Sequence, residues 1–203
     1  MKTSTIYKLS AVLCFFGCFA VIAADIIGII LHEEHNPFKN TISMLAIGKY
    51  GWIQDLGLDF LAMGYVALAI GLFTWKKNNA RWLIGLVVLV FIGADVVMIA
   101  EHNQYAGRPG EKIHRKLVYI LAGLFLILHI LIYPYLKSLK PFLKKFTIWV
   151  GVLWLLLAPL LPLMPDYING AYERFICSLL VIWPAVVSYY LWKSANLENV
   201  SSE

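Results

Sequence analysis

Charged side chains are scarce in this sequence. Only 14% of its 203 residues are Asp, Glu, Lys or Arg, whereas 61% are hydrophobic and the mean hydropathy is +0.74. A soluble domain carries roughly a quarter charged residues. The shortage therefore argues against a soluble protein and indicates a lipid bilayer as the solvent.

Cysteines and long hydrophilic stretches are also few. Cys14 and Cys18 lie in the first apolar run and Cys177 begins the last, so the spacing predicts no disulfide framework. The connections between apolar runs are too short for a second domain, and we expect one integral membrane domain over residues 1–203. The absence of a Gly-rich phosphate loop argues against energy coupling by nucleotide within this chain.

Six apolar runs are long enough to cross a bilayer, since about 20 helical residues span a hydrocarbon core of about 30 Å. We therefore predict an all-α bundle of six transmembrane helices. The predicted spans cover residues 9–31, 52–75, 82–100, 113–136, 146–164 and 172–192. The first run continues well past the small residues at 20–24, so we interpret it as an uncleaved helix rather than a signal peptide.

The distribution of basic residues predicts the orientation of the bundle. Basic residues without acidic neighbours occupy the N-terminus and the second and fourth connections: Lys2, Lys8, Lys76, Lys77, Arg81, Lys137, Lys140, Lys144 and Lys145. The positive-inside rule then places both termini in the cytoplasm, an N-in/C-in arrangement in the cell inner (plasma) membrane. The chain has a net charge of +5, and its basic residues lie in the short hydrophilic connections between the apolar runs. We therefore expect membrane lipid as a partner and no nucleic acid. The oligomeric state is left open.

Three carboxylates lie within the predicted spans at a common depth. Asp25, Asp59 and Asp95 each sit some six or seven residues inside the outer end of a span, which is about 10 Å at helical rise. A carboxylate in a span costs about 2.5–3.5 kcal/mol, so each needs a partner, water or a proton. They serve either as hydrogen-bonded packing or as the lining of one outward-facing polar pocket.

Further polar residues at the outer ends of the spans extend this candidate pocket. Its full set is Asp25, Ser43, Asp59, Asp95, Glu101, His102, His114, Glu173 and Arg174. Arg174 stays protonated and therefore needs an anion or water. Asp59 and Asp95, at matching depth, are its expected partners. Arg174 then serves either as a structural lock or as the site that receives an anionic substrate. A pocket of this kind indicates a protein that handles a small molecule or lipid.

The outer histidines leave two other hypotheses open. His35, His102 and His114 are ligand types that zinc accepts, but they show no His-Glu-x-x-His spacing. We therefore predict no cofactor and keep zinc as the alternative. With Ser43 these histidines would suit a membrane-embedded hydrolase, with or without a metal ion. A non-catalytic membrane scaffold is the third hypothesis, so whether the protein is an enzyme stays open.

Three segments, taken in order, resemble a known family. Residues 40–48 (N-T-I-S-M-L-A-I-G) resemble the I-S-x-L-G segment that follows helix one in the domain-of-unknown-function 998 family. Residues 101–102 (E-H) and 113–114 (I-H) are similar to its acidic loop followed by a histidine, and residues 170–174 (G-A-Y-E-R) to its G-x-x-E-R opening of the last helix. The chain departs from the pattern in the extra residues before the glycine and in lacking a second histidine that would pair with His114. The resemblance implies a small polytopic membrane fold and no settled biochemical role.

Overall fold

A computed structural model of the chain describes residues 3–76, 79–102 and 111–200, with the backbone alone for 197–200. Its elements are α1 (Thr3–Leu31), α2 (Ile42–Leu45), α3 (Gly51–Trp75), α4 (Ala80–His102), α5 (Glu111–Leu136), α6 (Pro141–Leu157), a 3₁₀ segment (Ala158–Leu163) and α7 (Asn169–Val200). Within these described ranges, six helices are long and apolar enough to cross a membrane. The predicted all-α bundle of six transmembrane helices is confirmed.

The helices extend beyond the apolar runs that predicted them. α1 begins at Thr3 rather than residue 9, and α7 runs from Asn169 to Val200 rather than from 172 to 192. Hydropathy detects only the residues that lie at hydrocarbon depth, whereas backbone hydrogen bonding continues the helix into the polar zone on either side.

The fifth span changes its helix type near one end. Its α-helical part ends at Leu157, and the chain continues as a 3₁₀ segment to Leu163. Pro159 and Pro162 lie in this segment. Because proline lacks an N–H and its ring clashes with the preceding turn, it does not continue a regular α-helix. The segment keeps the span apolar while changing its shape.

Close backbone contacts hold α1 against α3. A Cβ atom at Gly17 would overlap the carbonyl of Phe60, and one at Gly57 would overlap the side chain of Ala24. Small residues allow such close approach between membrane helices, where packing and not the hydrophobic effect drives association. α1 also packs on α7, while α3, α4, α5 and α6 follow one another around the bundle.

The two ends of the bundle differ in composition. The connections after α3 and α5 meet at one end, where Lys76 Nζ lies 3.1 Å from Ser138 Oγ. The opposite end, here called the polar end, comprises residues 32–50 and the first turns of α5 and α7. The sequence predicts that the polar end faces outward. Lys2 and Lys77, which contribute to that charge pattern, lie outside the described residues.

Candidate functional site

Arg174, in the second turn of α7, is surrounded by acceptors at the polar end. Its Nε donates to both carboxylate oxygens of Asp25, at 3.2 and 3.1 Å. Its Nη1 donates to the carbonyls of Pro37, Asn40 and Gly170, at 2.9, 2.8 and 3.2 Å. Its Nη2 lies 3.1 Å from Nε2 of His35. Every nitrogen of the guanidinium is therefore engaged within the protein.

This arrangement corrects the expected partner of Arg174. The sequence favoured Asp59 and Asp95 because they share its depth, but the ion pair forms with Asp25 on α1. Depth along a helix does not reveal which face the side chain occupies, and α7 packs directly against α1. With its donors taken by Asp25, three carbonyls and His35, Arg174 connects α1, α7 and residues 32–50.

His35 completes the surroundings of the guanidinium. Arginine can only donate, so the Nε2 atom of His35 must accept and its ring proton resides on Nδ1. Partial burial, together with the neighbouring charge of Arg174, lowers the pKa of His35 below its usual range. The neutral imidazole is thus the form that fits beside Arg174.

The first turn of α7 also holds residues 32–50 against the bundle. Glu173 Oε2 accepts a hydrogen bond of 2.6 Å from the backbone N–H of Ile42, and the N–H of Ala171 donates to the carbonyl of Phe38 at 3.1 Å. A Cβ at Gly170 would overlap the carbonyl of Asn40. A side chain at position 170 would therefore push this loop away from α7.

Ser43 and His114 meet at the same end. Ser43, on the short helix α2, places Oγ 2.9 Å from Nε2 of His114, in the first turn of α5. His114 is buried, and its Nδ1 has no hydrogen-bond partner within the described part of the chain. The structure thus joins a loop hydroxyl to an imidazole that the sequence separates by 71 residues.

Below these contacts lies a cavity of about 760 Å³ with a largely apolar lining. Its walls come from α1, α2, α3, α4, α5, α6, the 3₁₀ segment and α7. The polar residues that line it include Asp25, Ser43, Gln54, Glu173 and Arg174. Tyr119, Leu155 and Ile182, which lie on three different spans, also line it and are exposed. The cavity is therefore open rather than enclosed at the level of these spans.

Gln54 is the residue that the sequence did not single out. It is only 1% exposed, and neither its amide oxygen nor its amide nitrogen has a hydrogen-bond partner among the described residues. A buried donor or acceptor that is left without a hydrogen bond lowers the free energy of unfolding by about 1–3 kcal/mol. A glutamine within an apolar run is a visible signal in the sequence, but its burial and its lack of a partner are not.

The remaining candidates do not line the cavity. Asp59, Asp95, Glu101 and His102 are absent from its described walls. Asp95 is buried on α4, and His102 Nδ1 lies 2.8 Å from the carbonyl of Met98, one turn back on its own helix. The nine proposed pocket residues therefore converge in part: four line the cavity, and His114 contacts one of them.

The three histidines considered as zinc ligands each contact a different partner. His35 meets Arg174, His114 meets Ser43, and His102 meets a carbonyl of its own helix. Among the residues that the structure describes, no group of three or more His, Cys, Asp or Glu side chains is arranged to hold a metal ion.

A family model supports the resemblance found in the sequence. The model described as Protein of unknown function (DUF998) matches residues 15–190. Neither a curated protein nor a solved structure matches the chain.

Proposed function

The chain belongs to the DUF998 family of membrane proteins, and from this premise we propose that it binds a neutral amphiphile, a lipid or lipid-like small molecule, in the cavity at its polar end. The apolar part of the ligand lies among the helices. Its polar group lies beside Gln54 and Ser43.

The observation that carries this proposal is Gln54 in the cavity wall. A cavity of about 760 Å³ falls within the range of about 300–1,000 Å³ typical of small-molecule sites, which are mostly apolar with a few placed polar groups. The carboxamide of Gln54 offers two donors and one acceptor. A ligand hydroxyl or amide group can both donate and accept, and so satisfies both ends of this side chain.

The charges around the cavity favour a neutral polar group over an anionic one. Arg174 is the cation among its described lining residues, and its nitrogens already bind Asp25, backbone carbonyls and His35. Two acidic side chains, Asp25 and Glu173, line the same end. A phosphate or carboxylate would therefore meet acids without a free cation to offset them.

The lateral opening provides a route for such a ligand. Tyr119, Leu155 and Ile182 belong to three different transmembrane helices, line the cavity and are exposed. An amphiphile can then enter from the bilayer without leaving it. With the predicted N-in/C-in orientation, the opening lies in the outer leaflet.

A binding assay with matched ligands tests the proposal. The purified protein in detergent is titrated with a tritiated long-chain monoacylglycerol and, for comparison, with the fatty acid of equal chain length. We expect saturable binding of the monoacylglycerol and at least tenfold weaker binding of the fatty acid. Gln54→Leu should weaken monoacylglycerol binding about tenfold, which corresponds to about 1.4 kcal/mol for the lost polar contacts, and should raise the melting temperature of the ligand-free protein.

A second variant blocks the cavity itself. A Cβ at Gly123 meets no atom within 4 Å, and this residue lines the cavity, so Gly123→Phe should fold normally and abolish binding. Ile120→Phe is the control, because Ile120 is exposed on the same helix but does not line the cavity. The proposal is wrong if the wild type binds no neutral amphiphile. It is also wrong if saturable binding persists in both Gly123→Phe and Gln54→Leu.

A further inference from the structure

We infer that Ser43 and His114 form a nucleophile and base pair that cleaves an ester or amide bond of the amphiphile held in the cavity. This inference rests on the proposed binding function and assigns chemistry to the same site. Its starting point is the contact of 2.9 Å between Ser43 Oγ and His114 Nε2.

The contact has the geometry that activation of a serine requires. A serine hydroxyl is a weak nucleophile at its ordinary pKa and needs an adjacent base within about 2.6–3.2 Å. Ser43 also lines the cavity, next to the space assigned to the ligand. His114 is buried at 6% exposure, so the packing around it restricts its ring.

The backbone around Ser43 holds the hydroxyl in place. The preceding residue, Ile42, donates its N–H to Glu173 at 2.6 Å. Leu45, on the same short helix, is 1% exposed and packs where a side chain at Gly28 of α1 would otherwise lie. Glu173 on α7 and Gly28 on α1 thus position the nucleophile from two sides, as a preorganised site requires.

The reaction balances with water as the second reactant. Ser43 Oγ attacks the carbonyl carbon of the ligand and its proton passes to Nε2 of His114. The bond from that carbon to the leaving oxygen or nitrogen then breaks, and the leaving group takes the proton from His114. Water attacks the acyl-serine ester, gives one proton to His114, and Ser43 regains a proton as the carboxylic acid departs.

Gln54 supplies the donor for charge that develops on the carbonyl oxygen. Gln54 lines the same cavity, and its buried amide nitrogen has no partner among the described residues. Donors fixed in advance toward the developing oxyanion are the usual means of stabilising such a transition state. Because no described carboxylate hydrogen-bonds Nδ1 of His114, the site is a dyad rather than a triad.

A covalent probe tests the dyad. The full chain, purified in detergent, is incubated with a fluorophosphonate that carries a long alkyl chain, which forms a phosphorus–oxygen bond with an activated serine and releases fluoride. We expect peptide mapping to find the adduct on Ser43, no adduct in Ser43→Ala, and labelling at least about 100-fold slower in His114→Gln. Thr41→Val is the control: Thr41 lies on the same loop, and its hydroxyl makes no capping hydrogen bond.

The outcomes separate this inference from the binding proposal. If Ser43→Ala fails to fold, Ser43→Cys keeps a nucleophile of similar size and should react with an alkyl iodoacetamide in a manner that depends on His114. If the wild-type protein binds monoacylglycerol but is not labelled and does not hydrolyse it, the dyad is wrong and the binding function stands. Labelling at a residue other than Ser43 would also overturn it. Failure of both binding and labelling would overturn both.

Discussion

Replacing Arg174 with alanine removes the side chain that joins α1, α7 and residues 32–50. The variant leaves the carboxylate of Asp25 without its ion pair, and the carbonyls of Pro37, Asn40 and Gly170 lose the guanidinium N–H. Breaking a fully buried ion pair by removing one partner costs about 3–5 kcal/mol. The side chains of Arg174 and Asp25 keep 17% and 21% exposure, so water recovers part of this and we expect a loss of about 2–3 kcal/mol.

Thermal unfolding in detergent measures this loss. For a chain of this size, 1 kcal/mol shifts the melting temperature by about 2–4 °C, so Arg174→Ala should melt about 5–10 °C below the wild type. Asp25→Asn in the same chain should restore part of the loss, because an amide replaces the unpaired charge. The melting temperature of Arg174→Lys should lie between those of the wild type and Arg174→Ala. A lysine ammonium can pair with Asp25, but it cannot reach all the acceptors that the planar guanidinium reaches. An unchanged melting temperature in Arg174→Ala, or no recovery in the double variant, would refute the lock.

Two other predictions concern pH and topology. Because burial and Arg174 lower the pKa of His35, the folded state binds its proton less readily than the unfolded chain. The stability that neutral His35 contributes is therefore fully present above the pKa of the unfolded chain, about 6.5. It is lost as the pH falls through the lower pKa of the folded state. The melting temperature should decline from pH 7 toward pH 5, and His35→Gln should flatten that decline; equal slopes in both proteins would contradict it. In a background without native cysteines, a cysteine at Ser138 should resist an impermeant maleimide added from outside, whereas one at Gly107, outside the described residues, should react. Labelling at Ser138 would reverse the predicted orientation.

The sequence predicted the transmembrane helices well, because the bilayer imposes a length and a polarity on every span. It did not predict α2 (Ile42–Leu45), which is one turn long and carries no hydrophobic periodicity of its own. Nor did it predict the 3₁₀ segment that continues the fifth span, although the prolines marked the place. The short helix α2 depends on a tertiary contact, since Leu45 packs against α1. The 3₁₀ segment follows from Pro159 and Pro162, which do not continue a regular α-helix but do not specify what replaces it.

The candidate site was predicted in composition but not in its pairings. Asp25, Ser43, Glu173 and Arg174 gather at the polar end, yet which acid pairs with Arg174 depends on how the helices are rotated. A sequence gives the depth of a side chain through helical rise, and only packing fixes its direction. Gln54 shows the same limit: its burial and its lack of a partner follow from the cavity beside it and not from the residues next to it in the chain.

Determination of the structure of the protein in lipid nanodiscs, by electron cryomicroscopy with a rigid binding partner as fiducial, tests the central claim most directly. The account predicts elongated density within the cavity beside Gly123, ending in a polar group within hydrogen-bond distance of Gln54. Added monoacylglycerol should strengthen that density, and Gly123→Phe should remove it. A cavity closed by the approach of α5 and α7, with Gln54 bonded to other side chains of the protein, would contradict the account.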